Sequence, residues 1–452
     1  MYGRLTRSSH DGIGVEVRGV VSSLNRAGRE ERRTRKPWRC WVGINSLFEP
    51  HSARLSFLTS LFRRGAARPR RRWRVTGPFQ GITGYDRVVR SIVPELRRLG
   101  VEIELRDLAK WSPTRRMEKL PADLLKPQRL RRADLHLHFG MPQQVACSPD
   151  CPNVNCTMFE ADRIPATWAR ATEKIDLVVV PTESSRQSWI AGGVAGEKVA
   201  VCPEGADFEL FSPGAEPLEL WTGDGQAVRE FRCRFLNVAE FIKRKNLRGL
   251  LRCWLRATRA DDDAVLILKP GFYTTGSRER YGEMVLGLED EVGRRFADAA
   301  PIVLCERQLD EGEMPRLYAA ASHYWSMSFG EGFDLTMVEA AGCDLQLIAP
   351  HHSSYLHYLR PEFAFFLPVE AVEPEIAEDP GMAAFFQGSK WWRPDEAATV
   401  ETIRAIIDGT APPKSSARAS VAAGGGWGRM AEGLVRIAEE YSAQLHGQRG
   451  SA

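Results

Sequence analysis

Between residues 326 and 341 the chain reads Ser-Met-Ser-Phe-Gly-Glu-Gly-Phe-Asp-Leu-Thr-Met-Val-Glu-Ala-Ala, and few folds accommodate such a stretch. An apolar, strand-like run at 319–325 leads into it, and a second one at 345–349 follows Gly342. The glycines make a turn. Asp334 stands where its side-chain oxygen would cap a helix that closes at Gly342. The pattern predicts strand, loop, helix, strand, with the loop at the carboxyl end of a strand. Open α/β sheets bind ligands along that edge, and a helix N-terminus there favours an anion. Two carboxylates frame the turn, Glu331 in the loop and Glu339 inside the helix.

The same grammar recurs along the chain. Trp73-Arg74-Val75 predicts a first strand, followed by a turn that contains Gly77, Gly81 and Gly84. Residues 86–99 carry Val88, Val89, Ile92, Val93, Leu96 and Leu99 at helical spacing and stop at Gly100, before a strand at 101–105. Further strands are predicted at 135–139, 177–180, 231–239, 265–269 and 302–306. Helices are predicted at 165–174, from Thr182 or Ser184 to Ala191, and at 247–257, 280–296, 310–321, 395–407 and 427–445. Asp310 and Glu313 fit a capping box. His136 and His138 alternate on one strand and read as structural residues. Strands alternating with helices in this way imply parallel sheets, here two doubly wound α/β domains.

The 452 residues are long enough for two separate cores, and no run approaches the ~18–20 apolar residues of a membrane span. The net charge of +4 conceals an asymmetry: residues 1–74 hold 18 Lys/Arg against 5 Asp/Glu, which leaves the remainder at −9. An acidic substrate is therefore drawn in by local cations, not by the whole molecule. The basic stretch 1–72 lacks sustained periodicity and is expected to be a solvated extension; 45–62 carries a weak amphipathic pattern. The nine cysteines stand mostly in apolar contexts, as reduced thiols do. Cys147, Cys151 and Cys156 cluster without the spacing of a zinc site.

Glu-Gly-Phe-x-Leu-x-Met-x-Glu-Ala resembles the Glu-x7-Glu signature of retaining, nucleotide-sugar-dependent glycosyltransferases with the GT-B fold, the glycosyl transferase group 1 family. The resemblance extends through Thr157-Met-Phe-Glu-Ala-Asp, Val-Val-Pro-Thr-Glu-Ser-Ser and Pro203-Glu-Gly-Ala-Asp, and so covers 73–360 and, more thinly, the chain to 445. It implies two Rossmann-like domains facing a central cleft. It also implies that Glu339 accepts hydrogen bonds from the donor's ribose hydroxyls, a task suited to an acceptor-only carboxylate. Glu331, Gly332, Phe333 and Asp334 would lie beside the donor sugar and its phosphates, with Gly81 and Gly84 approaching from the first domain. Lys245 aligns with the lysine that grips the diphosphate. Glu240 occupies the position of the family's arginine, so Lys243 or Arg244 would have to substitute. Glu160 is a candidate for contact with the sugar or acceptor, and Glu331 and Glu160 are the catalytic candidates.

The expected domain plan is a basic extension over 1–72, a first domain over 73–213, a linker over 214–229, a nucleotide-sugar domain over 230–408, a flexible connection over 409–426, and a terminal helix over 427–452 that crosses back. Expected partners are a nucleoside diphosphate sugar and a glycan or lipid-linked acceptor, with peripheral membrane contact and no nucleic acid. No metal or cofactor is called for, and a cytoplasmic location at the inner membrane surface is expected. The competing reading is a non-catalytic GT-B protein that binds nucleotide or glycan as a scaffold. Glu240, and Gln346 where the family favours a small residue or proline, motivate it.

Overall fold

The computed structural model describes residues 71–108, 111, 120–122, 124, 128–271, 277–376 and 380–450. Most of the basic extension, including the 45–62 pattern, lies outside the described residues. The first domain runs β1 (Arg71–Gly77), α1 (Gly84–Arg98), β2 (Val101–Asp107), β3 (Leu135–Phe139), β4 (Asn153–Cys156), α2 (Ala166–Thr172), β5 (Leu177–Val180), α3 (Glu183–Ala191) and β6 (Val199–Val201). The second begins β7 (Cys233–Glu240), α4 (Leu247–Ala257), β8 (Ala264–Gly271), α5 (Ser277–Val292), β9 (Ile302–Leu304), α6 (Met314–Ala319) and β10 (His323–Trp325). It continues through α7 (Leu335–Gly342), β11 (Gln346–Pro350), α8 (Tyr355–Tyr358) and β12 (Ala364–Leu367). A hairpin of β13 (Val369–Val372) and β14 (Trp391–Pro394) encloses α9 (Pro380–Phe386). Then come α10 (Glu396–Ile407), α11 (Arg418–Gly424) and α12 (Trp427–Gly450).

Each domain holds a six-stranded sheet, in the orders β2-β1-β3-β4-β5-β6 and β12-β11-β10-β7-β8-β9. Every pairing within them is parallel. Strand order reverses between β1 and β3 in the first sheet and between β7 and β10 in the second. The connections leave a crevice at such a switch point. Central strands such as Leu177-Val-Val-Val are buried along their whole length, as both-face coverage requires.

Several expectations shift. Arg71 and Arg72 belong to β1, paired with Val101 and Glu102, so the first strand starts before Trp73. The apolar run at 319–325 divides, because Ala319 ends α6 and only His323–Trp325 forms the strand. The stretch 409–426 contains α11, whose Val421 enters the core of the second domain. β12 and the β13–β14 hairpin have no counterpart in the sequence reading. Asp310 and Glu313 exchange the two bonds of a capping box, although the regular helix starts only at Met314.

The α12 residues Trp427, Met430, Ala431, Leu434 and Val435 pack into the core beneath α1, so the C-terminal helix completes the first domain. The crossing strands meet at Gly205, where a Cβ would sit 2.6 Å from Gly426. A second joint is largely apolar. There Phe159, Trp168 and Trp189 of the first domain share a cluster with Phe386 and Trp391 of the hairpin excursion. Asp162 and Lys390 exchange backbone and side-chain hydrogen bonds across that joint. Both contacts join the two domains.

Candidate functional site

The loops that leave β7 and β10 at the second switch point are sewn together. The Phe329 amide donates to the Arg244 carbonyl at 2.8 Å, and the Asn237 side chain donates to the Trp325 carbonyl at 2.8 Å. Between them sits a buried charge cluster. Lys245 Nζ approaches Glu331 Oε1 at 2.5 Å, Arg244 meets Glu331 Oε2 at 3.0 Å, and Arg244 stands 3.6 Å from Glu160 of the first domain. Burial alone would lift the Glu331 carboxyl, but Lys245 and then Arg244 outweigh it and hold it down to about 2. Glu331 is therefore an anion at any physiological pH.

The structure brings Glu160, Glu331, Arg244 and Lys245 together and leaves Lys243 out. Lys243 is exposed, 3.8 Å from the equally exposed Glu375. Asn246 adopts φ 51° and caps α4 by accepting from the Gly249 amide at 3.1 Å, which aims the two preceding cations inward. Asp334 also departs from expectation. It occupies the N-cap position of α7 with φ 64°, but its side chain makes no cap bond. Its carboxylate instead accepts from the Tyr355 hydroxyl at 2.8 Å and from Thr336 at 2.7 Å. The side chain of Phe333 is core, and its carbonyl accepts from Tyr358.

Gly330 and Gly332 lie where the domains touch. A Cβ on Gly330 would sit 2.1 Å from the Glu160 carbonyl oxygen, and one on Gly332 would sit 2.6 Å from Met158. Thr182, the cap of α3, also donates across to the Gly332 carbonyl. In the first domain, the Gly81 amide donates to Asp86 and its carbonyl accepts from Arg90, while Gly84 opens α1 facing Leu335. The walls of the cleft are in contact along this line.

Glu339 is 1% exposed and points into the seam, with both carboxylate oxygens engaged. Oε1 receives Arg87 of α1, and Oε2 accepts from the Tyr318 hydroxyl at 2.8 Å. Burial pushes its carboxyl up, and Arg87 and Tyr318 pull it back. Arg90, one turn along α1, reaches Glu311 at 2.8 Å. The sequence reading named neither arginine. The available signal was two cations in the first turns of a helix, where the dipole disfavours them unless an outside anion compensates.

Beside the seam a small cavity is lined by Tyr85, Thr157, Cys156, Cys202 and Glu204. Glu204 is buried, its Oε2 has no hydrogen-bond partner among the described residues, and burial pushes its carboxyl up to about 8. The strand histidines His136 and His138 are buried, and burial holds them down to about 3 and about 4, which keeps both neutral. Trp391 is core, while Trp392 stacks on His352 with ring centres 5.2 Å apart.

No protein-family profile matches this chain, and no curated protein matches it. Solved structures do. A glycosyltransferase from Rickettsia africae ESF-5 is 12% identical, with 82% of this chain and 99% of that one covered, at a TM-score of 0.52. The lipopolysaccharide outer core galactosyltransferase WaaB is 10% identical over 81% and 99%, at 0.53. Anabaena Alr3699/HepE, solved in complex with UDP-glucose, is 14% identical over 83% and 99%, at 0.50. At these identities the likeness establishes architecture: the protein has two Rossmann-like domains arranged as in GT-B glycosyltransferases. Among the described residues no helix is long and apolar enough to cross a membrane.

Proposed function

We propose that the protein is a retaining glycosyltransferase of the group 1 kind, which moves a sugar from a nucleoside diphosphate donor to a glycan or lipid-linked acceptor. The observation that carries this reading is the convergence at one switch point of Lys245, Arg244, Glu331 and the seam-facing Glu339. Departure of a nucleoside diphosphate builds negative charge as the glycosidic bond breaks. Fixed cations and the N-terminus of α7 stabilise that charge in a site with little water. Glu339 takes the ribose hydroxyls, Gly332 and Phe333 flank the donor, and Glu160 faces the sugar from the first domain. Attack and departure on one face leave room for the leaving phosphate to accept the acceptor's proton. Positioning and charge then carry the chemistry without a metal or cofactor. Contact with a membrane surface would follow from a lipid-linked acceptor.

HepE is bound to UDP-glucose, so UDP-sugars are the first donors to try. In a panel of UDP-, GDP- and ADP-sugars, at least one donor should be turned over slowly with water and faster with acceptor. Glu339→Ala should weaken nucleotide binding by about tenfold or more, the cost of one strong charged hydrogen bond. Nucleotide binding without turnover across the panel would point to the scaffold reading.

A further inference from the structure

The oxygen of Glu339 that faces the seam is occupied by a residue of the opposite domain. We propose that Arg87 is an interdomain latch that closes the donor site and must release Glu339 before a nucleotide can bind. This rests on the reading of Glu339 as the ribose acceptor.

The two groups on the carboxylate differ in kind. Tyr318 is wholly buried and lies on α6, within the same domain as Glu339, so its bond survives any movement between domains. Arg87 belongs to α1 and keeps its bond only while the domains touch. A ribose diol that approached Glu339 from the first-domain side would meet the guanidinium already seated on that oxygen. Ribose and guanidinium therefore compete for that side of the carboxylate, and whatever stabilises the closed pair is subtracted from nucleotide affinity. Three features mark the contact as a built joint. Arg87 lies over the Phe211 ring, 4.8 Å from its centre, at the exit from the first domain. Arg90 repeats the contact one turn on, against Glu311. Gly84, at the start of the same helix, faces Leu335, the first residue of the helix that carries Glu339. Helix α1 thus meets the donor-side domain along one edge. Separation would also part Glu160 from Arg244, which leaves Glu331 as the carboxylate paired with Arg244 and Lys245 and opens them to a diphosphate.

The test is calorimetric titration with UDP at pH 8, together with small-angle X-ray scattering of the unliganded chain. It compares wild type, Arg87→Met, Arg87→Lys and Arg98→Met, the last an exposed arginine on the same helix. Arg87→Met should bind UDP about tenfold more tightly and show a larger radius of gyration. Arg87→Lys, which keeps the charge but loses the planar fork, should fall between, and Arg98→Met should match wild type. Unchanged affinity and radius in Arg87→Met would overturn the latch while leaving the donor site standing. Weaker UDP binding by that variant would make Arg87 a ligand contact, which also overturns it. If no variant, nor wild type, binds UDP, GDP or ADP, the donor-site reading fails and the latch with it.

Discussion

Two carboxylates a few residues apart in the chain show how far environment decides chemistry. Glu331 has two cations against it and is held down; Glu339 has one cation and a phenol and is pushed up. Removing Lys245 should therefore do more than weaken donor binding. Lys245→Met leaves a buried carboxylate with only Arg244, a change that costs on the order of 3 kcal/mol in denaturant unfolding. A loss below roughly 0.5 kcal/mol, the scale of an exposed pair, would show that the cluster is solvated. Glu204 makes a prediction of opposite sign. Its folded carboxyl, at about 8, lies above the ordinary value of 4.5, so the folded protein holds a proton that the unfolded chain releases. Stability from this group is full below about pH 4.5 and is lost as pH rises towards 8. Glu204→Gln should remove a pH-dependent decline on the order of 3–5 kcal/mol between pH 5 and 8, read from unfolding curves at the two ends. Equal slopes in both proteins would sink that account.

At the level of elements, the short turn between β7 and α4 carries the heaviest duty. Asn246 holds a left-handed conformation and caps α4, and these two roles respond to substitution differently. Asn246→Ala loses both the cap and the tolerated φ and should cost about 2 kcal/mol. Asn246→Gly keeps the backbone conformation and should cost clearly less. If the two variants unfold together, the turn is not strained. Elements were also where sequence reasoning was sharpest. The spans 135–139, 177–180 and 247–257 coincide with β3, β5 and α4, because an alternating pattern, a continuous apolar run and a helical stripe are local signals. The hairpin of β13 and β14 gave no such signal. Its strands are four residues each, and its Trp391 is buried against Phe329 and Phe386 in a cluster that also takes in Phe159 and Trp168 of the first domain.

At the scale of the whole molecule, the seam is closed by backbone contact as well as by charge. Gly330→Ala places a methyl carbon against the Glu160 carbonyl, which cannot rotate away as a side chain could. The domains should part by a small angle, with a larger radius of gyration in scattering and a melting point lower by several degrees. An unchanged radius would mean that the loop yields instead. The doubly wound architecture, the Glu331–Glu339 spacing and the cations before α4 were legible in the chain, since each depends on neighbours within a few residues. The partner of Glu339, the exclusion of Lys243 and the bonds of Asp334 were not. Each depends on which distant part of the chain folding brings against it: Arg87 for Glu339, Glu375 for Lys243 and Tyr355 for Asp334. That choice is made by burial and charge pairing between residues such as Arg87 and Glu339, which no local pattern connects.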